Sequence, residues 1–305
     1  MIDVSTKPTT LRRAVAESTV EMRPETVAAI RAGDIPKGDV AEMTRATAML
    51  GLKRTPELLP FCHPIPVDHA DVRVEVEKTT VRIQVEVAAV ARTGVEVEAM
   101  TGAAVAALNV YDMVKPVDPM AHITGVRLLK KSGGASDFKS RGERELRAGI
   151  LVVSDRTAAG KAQDRAGAAV QAGLETHGVT VAGFQIVPDE PEQIAGHVQR
   201  WADDDAFDLV FTVGGTGLGP RDTTPEALRP LLEREIPGLA EAIRAYGQER
   251  TPYAALSRTI AGQRGTTVIV ALAGSTRGAG ESVQALMPWL LHVIDVFDKA
   301  YRHGP

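Results

Sequence analysis

From Lys130 to Arg147 the chain reads KKSGGASDFKSRGERELR, dense in charge, glycine and serine and nearly without apolar periodicity. A stretch of that texture serves as a linker, and here it cuts 305 residues into near-equal halves. Each half has the length of an ordinary domain. The expected division is residues 1–140, a linker over 141–147, and residues 148–305. The two halves carry different hydrophobic rhythms, so two different folds are expected.

The second half alternates strand and helix patterns. Gly149–Val153, Val179–Val187, Asp208–Val213 and Thr266–Leu272 read as strands. Helices are expected over Arg165–His177 and Pro191–Trp201, from Pro225 and from Pro237, with a long final helix over Gly280–Tyr301. Repeated β-α-β order predicts a three-layer α/β unit, a mainly parallel sheet with helices on both faces. Ligands of such sheets sit beyond the carboxyl ends of the strands. Those ends carry Ser154-Asp155-Arg156, Pro188-Asp189-Glu190, a glycine loop and Ala273-Gly274-Ser275, all small or polar.

The glycine loop lies in FTVGGTGLGPRDTTPEA, residues 211–227. Gly214, Gly215 and Gly217, with Thr216 among them, let backbone N–H groups approach a ligand without Cβ obstruction. Thr224 and Pro225 suit the start of a helix, whose N-terminus favours an anion. Arg221 adds a guanidinium fork, and Asp222 a carboxylate able to hold magnesium. No lysine follows the glycines as in a P-loop, and no G-x-G-x-x-G frame fits. A plain strand-to-helix turn with Asp222 flanking the helix is the structural alternative.

The first half predicts helices over Arg23–Ala32, Asp39–Leu52 and about Glu98–Val114, and a hairpin of Asp71–Glu77 with Val81–Val87. Helices with an antiparallel pair indicate an α+β sandwich. Four places carry candidate chemistry: Lys37-Gly38-Asp39, Phe61-Cys62-His63-Pro64, Glu96-Val97-Glu98 and Tyr111-Asp112-Met113-Val114-Lys115. Singly, each has a structural explanation: a turn histidine, helix-start acids, a helix-end base, an ion pair three residues apart. Cys62 and His63 are too few ligands for structural zinc. Together the four places amount to an acid–base set with lysines for phosphates. Fourteen residues of one helix place Glu98 and Asp112 about 21 Å apart. That separation is long for one centre, so a neighbouring subunit is expected to complete the site, in a homo-oligomer.

Composition excludes several classes. A net charge of −4 provides no basic field for nucleic acid, and 4% aromatics provide few stacking platforms. The single Cys62 leaves no internal disulfide and fits a reducing compartment. No secretory leader or membrane-length apolar run is evident, so a cytoplasmic protein without a membrane partner is expected.

The residues resemble two families. Residues 1 to about 140, through MIDVSTK, MRPET, KGDV, LLPFCHP, TGVEVEAMT, AALNVYDMVK and VRLLKKSGG, resemble MoaC, the cyclic pyranopterin monophosphate synthase of molybdenum cofactor biosynthesis. The resemblance implies a ferredoxin-like α+β fold and a lyase acting on 3′,8-cyclo-7,8-dihydro-GTP, with release of pyrophosphate. It implies Asp112 as catalytic aspartate, Lys115 as its nearby lysine, and Lys53 and Lys131 near the phosphates or the proton transfers. Phe61, Cys62, His63, Val97 and Glu98 match substrate-binding segments. Val114 stands where a cysteine is common in the family.

From about residue 148 onward, VVSDR, VPDE, GGTGLGPRDTTPEAL, EIPG and LAGST resemble the MogA/MoaB family, whose active members adenylylate molybdopterin. That resemblance implies molybdopterin and ATP as small-molecule substrates, Mg²⁺ brought with ATP, and no tightly bound organic cofactor. Asp189 and Asp222 match the two functional aspartates and are the expected magnesium ligands. Gly214, Gly215, Thr216 and Gly217 would cradle phosphate or pterin, with Arg221 offsetting charge and Asp155 and Ser275 as further candidates. Leu272-Ala273-Gly274-Ser275-Thr276 departs from a common L-P-G toward the MoaB branch, some of whose members do not adenylylate. The alternative is therefore a pterin-binding or scaffolding module without that activity.

Overall fold

The computed structural model describes residues 1–138 and 144–302. Contacts divide the chain into two units, Met1–Asp137 and Phe138–Pro305. The expected linker is corrected at both edges. Lys130–Ser132 belongs to a strand of the first unit and Leu146–Arg147 to a strand of the second, while residues 141–143 lie outside the described residues.

The first unit runs β1 (Thr10–Glu21), α1 (Pro24–Ala32), α2 (Val40–Lys53), α3 (Thr55–Leu58), β2 (His69–Val76), β3 (Thr80–Ala91), α4 (Glu96–Val114) and β4 (His122–Ser132). The antiparallel sheet has the order β2-β3-β1-β4, so the β-α-β-β-α-β course is ferredoxin-like. Val81, Ile83, Val85 and Val87 alternate along β3 and are buried, as a sheet with one covered face requires. Each such side chain contributes about 1.5–3 kcal/mol by leaving water. α4 covers them with Ala99, Ala103, Ala106 and Val110. Its small residues bring it close to its neighbours: a Cβ on Gly102 would lie 3.2 Å from both the Ala48 carbonyl oxygen on α2 and the Val85 side chain.

β1 and β4 were not among the expected strands. Their outward positions carry charge that blurs the alternation, and that charge is paired across the sheet. Arg127 donates to Glu17 at 2.7 Å, and Gln84 to the same carboxylate at 2.9 Å. β4 is an edge strand, where lysines guard against further pairing.

The second unit runs β5 (Leu146–Val153), α5 (Asp155–Ala158), α6 (Ala166–Glu175), β6 (Val179–Val187), α7 (Pro191–Asp203), β7 (Leu209–Val213), α8 (Thr224–Leu228), β8 (Arg234–Glu235), α9 (Pro237–Gln248), β9 (Ala261–Arg264), β10 (Thr267–Leu272), α10 (Thr276–Leu286) and α11 (His292–Arg302). Its sheet has the order β6-β5-β7-β10-β9-β8. The first four strands are mutually parallel, β9 runs against them, and the two-residue β8 pairs antiparallel to β9 and so runs with them again. Ile150, Val152, Phe211 and Val213 enter one core with α6, α9 and α10, and Leu151, Val153 and Val210 enter another with α7 and α8. Burial on both faces is why these strands read as continuous apolar runs.

β9 and β10 form a hairpin that turns at Gly265, where φ is +55° and no heavy atom lies near a would-be Cβ. The expected single helix over Gly280–Tyr301 is corrected to two, because Pro288 cannot continue the hydrogen-bond ladder beyond Leu286. No helix among the described residues is long and apolar enough to cross a membrane.

Candidate active sites

In the first unit a cleft of about 400 Å³ opens where the loop before β2, the N-terminal end of α4 and the end of β4 meet. It gathers Phe61, Cys62, His63, Val97, Glu98 and Lys131 from the sequence reading. Glu98 is only 1% exposed: Cys62 Sγ donates to its Oε1 at 3.5 Å, and its Oε2 has no hydrogen-bond partner. Burial therefore pushes the Glu98 carboxyl above the ordinary range. Burial likewise raises the Cys62 thiol, and the Glu98 charge adds to it.

Basic groups face these acids. Lys131 Nζ lies 3.4 Å from Glu96 Oε1, and Lys7, Arg12 and Arg92 also line the cleft. Arg12 is buried and donates to the carbonyls of Ala91 at 3.1 Å and Arg92 at 3.0 Å, fixing the turn that leads into α4. Gly133, at φ +88°, lets the chain after β4 pass against Leu11, since a Cβ there would overlap the Leu11 carbonyl oxygen.

Asp112 lies outside this cleft, near the other end of α4. Its carboxylate binds Lys115 Nζ at 2.7 Å and Lys37 Nζ at 2.5 Å. Hydrogen bonds from Lys115 and then Lys37 hold the Asp112 pKa down at about 2, and Asp112 raises that of Lys115 in return. Lys53, the expected additional lysine, ends α2 on the surface and lines neither group. Lys37, from the Lys37-Gly38-Asp39 turn, is the lysine that reaches Asp112.

In the second unit two clefts meet at the glycine loop. The smaller, about 340 Å³, is lined by Ser154, Asp164, Asp189, Gly214, Gly215 and Asp222 among others. The larger, about 440 Å³, is lined by Gly215, Thr216, Gly217, Asp222, Tyr253 and Ser275 among others. Gly215, Asp222 and Gly274 border both. Gly214 and Gly215 adopt φ of +114° and +63°, and a Cβ on Gly215 would lie 2.2 Å from Thr224 Oγ1 and 3.2 Å from Asp189 Oδ1. The turn thus needs glycine twice over, for conformation and for space.

Thr224 secures the loop by donating its N–H to Gly215 O at 3.1 Å and its hydroxyl to Gly214 O at 2.9 Å. The amides of Gly215, Thr216 and Gly217 donate to no acceptor among the described residues. Ser275 uses its hydroxyl to cap α10 by accepting from Gly278 N at 3.1 Å.

The carboxylates are individually placed. Asp155 N donates to Asp189 Oδ2, and Gly219 N donates to Asp222 Oδ2 at 2.7 Å. Oδ1 of both Asp189 and Asp222 is left without a hydrogen bond among the described residues. Burial raises the Asp189 pKa, and the Asp155 and Asp222 charges add to it. Arg221 lines neither cleft. It clasps Asp155 at 3.0 and 3.1 Å and reaches Glu190 at 2.7 Å, which lowers the Asp155 pKa. Two carboxylate oxygens free of hydrogen bonds, with three free amides beside them, fit a magnesium ion that takes its remaining ligands from phosphates and water. No group of three or more His, Cys, Asp or Glu among the described residues could hold a metal.

Residues 1–134 match the model of the MoaC family, and residues 149–292 match that of the "Probable molybdopterin binding domain". A molybdenum cofactor biosynthesis bifunctional protein of Chlorobaculum tepidum is 40% identical over 292 residues, covering 96% of this chain and 92% of that one. A protein of the same description from Synechococcus elongatus is 35% identical over 317 residues, covering 100% and 99%. The chain belongs to this family of bifunctional molybdenum cofactor biosynthesis proteins. Its MoaC unit is also 48% identical over 141 residues to a cyclic pyranopterin monophosphate synthase of Roseiflexus sp., covering 45% of this chain and 89% of that one.

Within this bifunctional protein the sequence reading missed Lys7, Arg12 and Arg92 in the MoaC unit, and Tyr253 and Arg258 in the molybdopterin-binding-type unit. Lys7 was detectable, since it closes the MIDVSTK segment that carries the MoaC resemblance. Arg12, Tyr253 and Arg258 lie in stretches without a local motif, and only the folded chain brings Arg12 and Tyr253 to the clefts and Arg258 to the glycine loop.

Proposed function

We propose that the MoaC unit converts 3′,8-cyclo-7,8-dihydro-GTP to cyclic pyranopterin monophosphate with release of pyrophosphate, and that the second unit adenylylates molybdopterin with Mg-ATP. For the first reaction, the support is the Asp112 carboxylate held between Lys37 and Lys115. Two ammonium groups at one fixed carboxylate suit proton transfer and the neutralisation of a leaving pyrophosphate. Glu98 and Lys131 in the cleft would bind the remainder of the substrate.

Glu98 and Asp112 share α4, and their fourteen-residue separation corresponds to about 21 Å. We therefore propose that the cleft of one subunit meets the Asp112 end of another in a homo-oligomer. Leu108 and Tyr111 are exposed on the same stretch of α4 as Asp112, and a second copy would cover them.

For the second reaction, the observation that carries the reading is the free amides of Gly215, Thr216 and Gly217 beside Asp189 and Asp222. A terminal phosphate oxygen of molybdopterin would attack the α-phosphorus of ATP, forming one P–O bond as the bond to pyrophosphate breaks. The loop amides would hold phosphate oxygens, and Asp189 and Asp222 would hold Mg²⁺. Magnesium, when bound, neutralises charge on the phosphates. The larger cleft, walled by Tyr253, Leu256 and Ile243, has the apolar lining that a flat heterocycle needs.

The test is an assay of the purified chain with each substrate in turn. Cyclic pyranopterin monophosphate should form from the cyclised GTP derivative, and adenylylated molybdopterin and pyrophosphate from molybdopterin with Mg-ATP. Pterin binding without adenylylated product would favour a binding or scaffolding role for the second unit.

A further inference from the structure

Arg258 follows the turn that walls the larger cleft, through Thr251, Tyr253, Ala254, Leu256 and Ser257. Its own contacts point to the opposite wall, the glycine loop. The Arg258 amide donates to Thr216 O at 3.0 Å, and Nε donates to Gly217 O at 2.6 Å. Nη2 donates to the Asp222 carbonyl oxygen, and Nη1 to Glu226 Oε1. One guanidinium thus spans the loop from Gly217 to Asp222 and ties it to the start of α8.

The segment it spans has few other supports. Apart from Arg258, Gly219 and Asp222 bond only to each other, Gly219 N to Asp222 Oδ2 at 2.7 Å and Asp222 N to Gly219 O at 3.0 Å. Outside it, Arg221 reaches Asp155 and Glu190. A Cβ on Gly217 would lie 2.8 Å from Asp222 Oδ2, so the Asp222 side chain folds back over the stretch that Arg258 holds. The guanidinium is a rigid planar fork, and two of its nitrogens on two carbonyls fix the distance between them. A lysine at the same place, with one point of charge on a flexible stem, would not.

We propose that Arg258 is a positioning residue for the adenylyl transfer: it sets the Asp222 carboxylate against Asp189 by clamping the Gly217 and Asp222 carbonyls. It acts through the loop and touches no reactant. This inference rests on the reading of the cleft as an adenylyltransferase site. Loss of a group that orients a metal-holding side chain costs about tenfold to about a hundredfold in metal affinity or activity.

The experiment uses the full chain and its Arg258→Ala and Arg258→Lys variants. Calorimetry measures the affinity for Mg²⁺ with α,β-methylene-ATP, and separately for molybdopterin. Steady-state assays give kcat and KM, and hydrogen exchange follows the Gly219 amide. Arg258→Ala should weaken Mg-nucleotide binding and lower kcat within that range, leave pterin affinity and the melting temperature near those of the wild type, and speed Gly219 exchange. Arg258→Lys should fall between the two. A merely structural role would lower pterin binding, nucleotide binding and melting temperature together, and that result overturns the inference. An active wild type with an unaffected Arg258→Ala variant overturns it alone, whereas a wild type that neither binds nor turns over Mg-nucleotide overturns the reading of the cleft as well.

Discussion

Asp155 and Asp189 hold each other's backbone: the amide of each donates to the carboxylate of the other, at 2.9 and 3.0 Å. The carboxyl ends of β5 and β6 are thereby locked together, and the remaining oxygen of Asp189 keeps its direction toward the glycine loop. The pair also divides its roles. Arg221 neutralises Asp155, while Asp189, half-buried, is left to face the cleft beside Asp222.

Replacement of Asp189 or Asp222 by Asn keeps the shape of the side chain and removes the charge. Adenylylation should fall by about a hundredfold or more, the scale on which lost electrostatic support acts in other active sites. Pterin affinity, measured by calorimetry, should remain close to that of the wild type. Parallel loss of pterin affinity would instead point to a collapsed loop.

Glu98 links the MoaC unit to pH. Because burial raises its pKa in the folded state, its contribution to stability is fully present below the ordinary value of 4.5 and is lost as pH rises through the raised value. Glu98→Gln has no charge to bury, so the variant should gain stability relative to the wild type across that window. Denaturant unfolding of the first unit from pH 4 upward checks the sign, and equal slopes for the two proteins would refute it.

Asp112 should titrate well below the ordinary aspartate value of 3.8. A carboxyl-detected NMR titration should find it ionised down to about pH 2, and Lys115→Met or Lys37→Met should each move it toward the ordinary 3.8. Lys115 is the larger cause and should give the larger shift. Unchanged titration in both variants would mean that the ion pairs do not persist in solution.

Complementation tests the shared site. Glu98→Ala and Asp112→Ala chains should each lack synthase activity, and mixed oligomers should regain part of it, since some sites would combine an intact cleft with an intact Asp112. Mixtures as inactive as either parent would argue strongly for a site built within one subunit.

How much of this was legible depended on what each residue needed in order to show itself. β7 and β10 stood out because they are apolar over nearly their whole length, and Asp189 and Asp222 followed from their place at strand ends. β1 and β4 were hidden because Glu17 and Arg127 make sense only as a cross-strand pair, more than a hundred residues apart in sequence. The apolar pattern over Gly280–Tyr301 continues through Pro288, and the proline, not the pattern, marks where the helix breaks. Arg221 could be chosen by type, but its partners, Asp155 and Glu190, belong to other loops. Lys37 and Lys53 were alike as lysines, and only the packing of the first unit distinguished them.

The β9–β10 hairpin has a practical consequence. β5, β6, β7 and β10 all end at the rim that carries the glycine loop, whereas the turn at Gly265 lies at the opposite end of β10, exposed and open on its outer side. An attachment made there, such as a fluorophore on an introduced cysteine or a short affinity tag, would report on this unit from the side away from its two clefts.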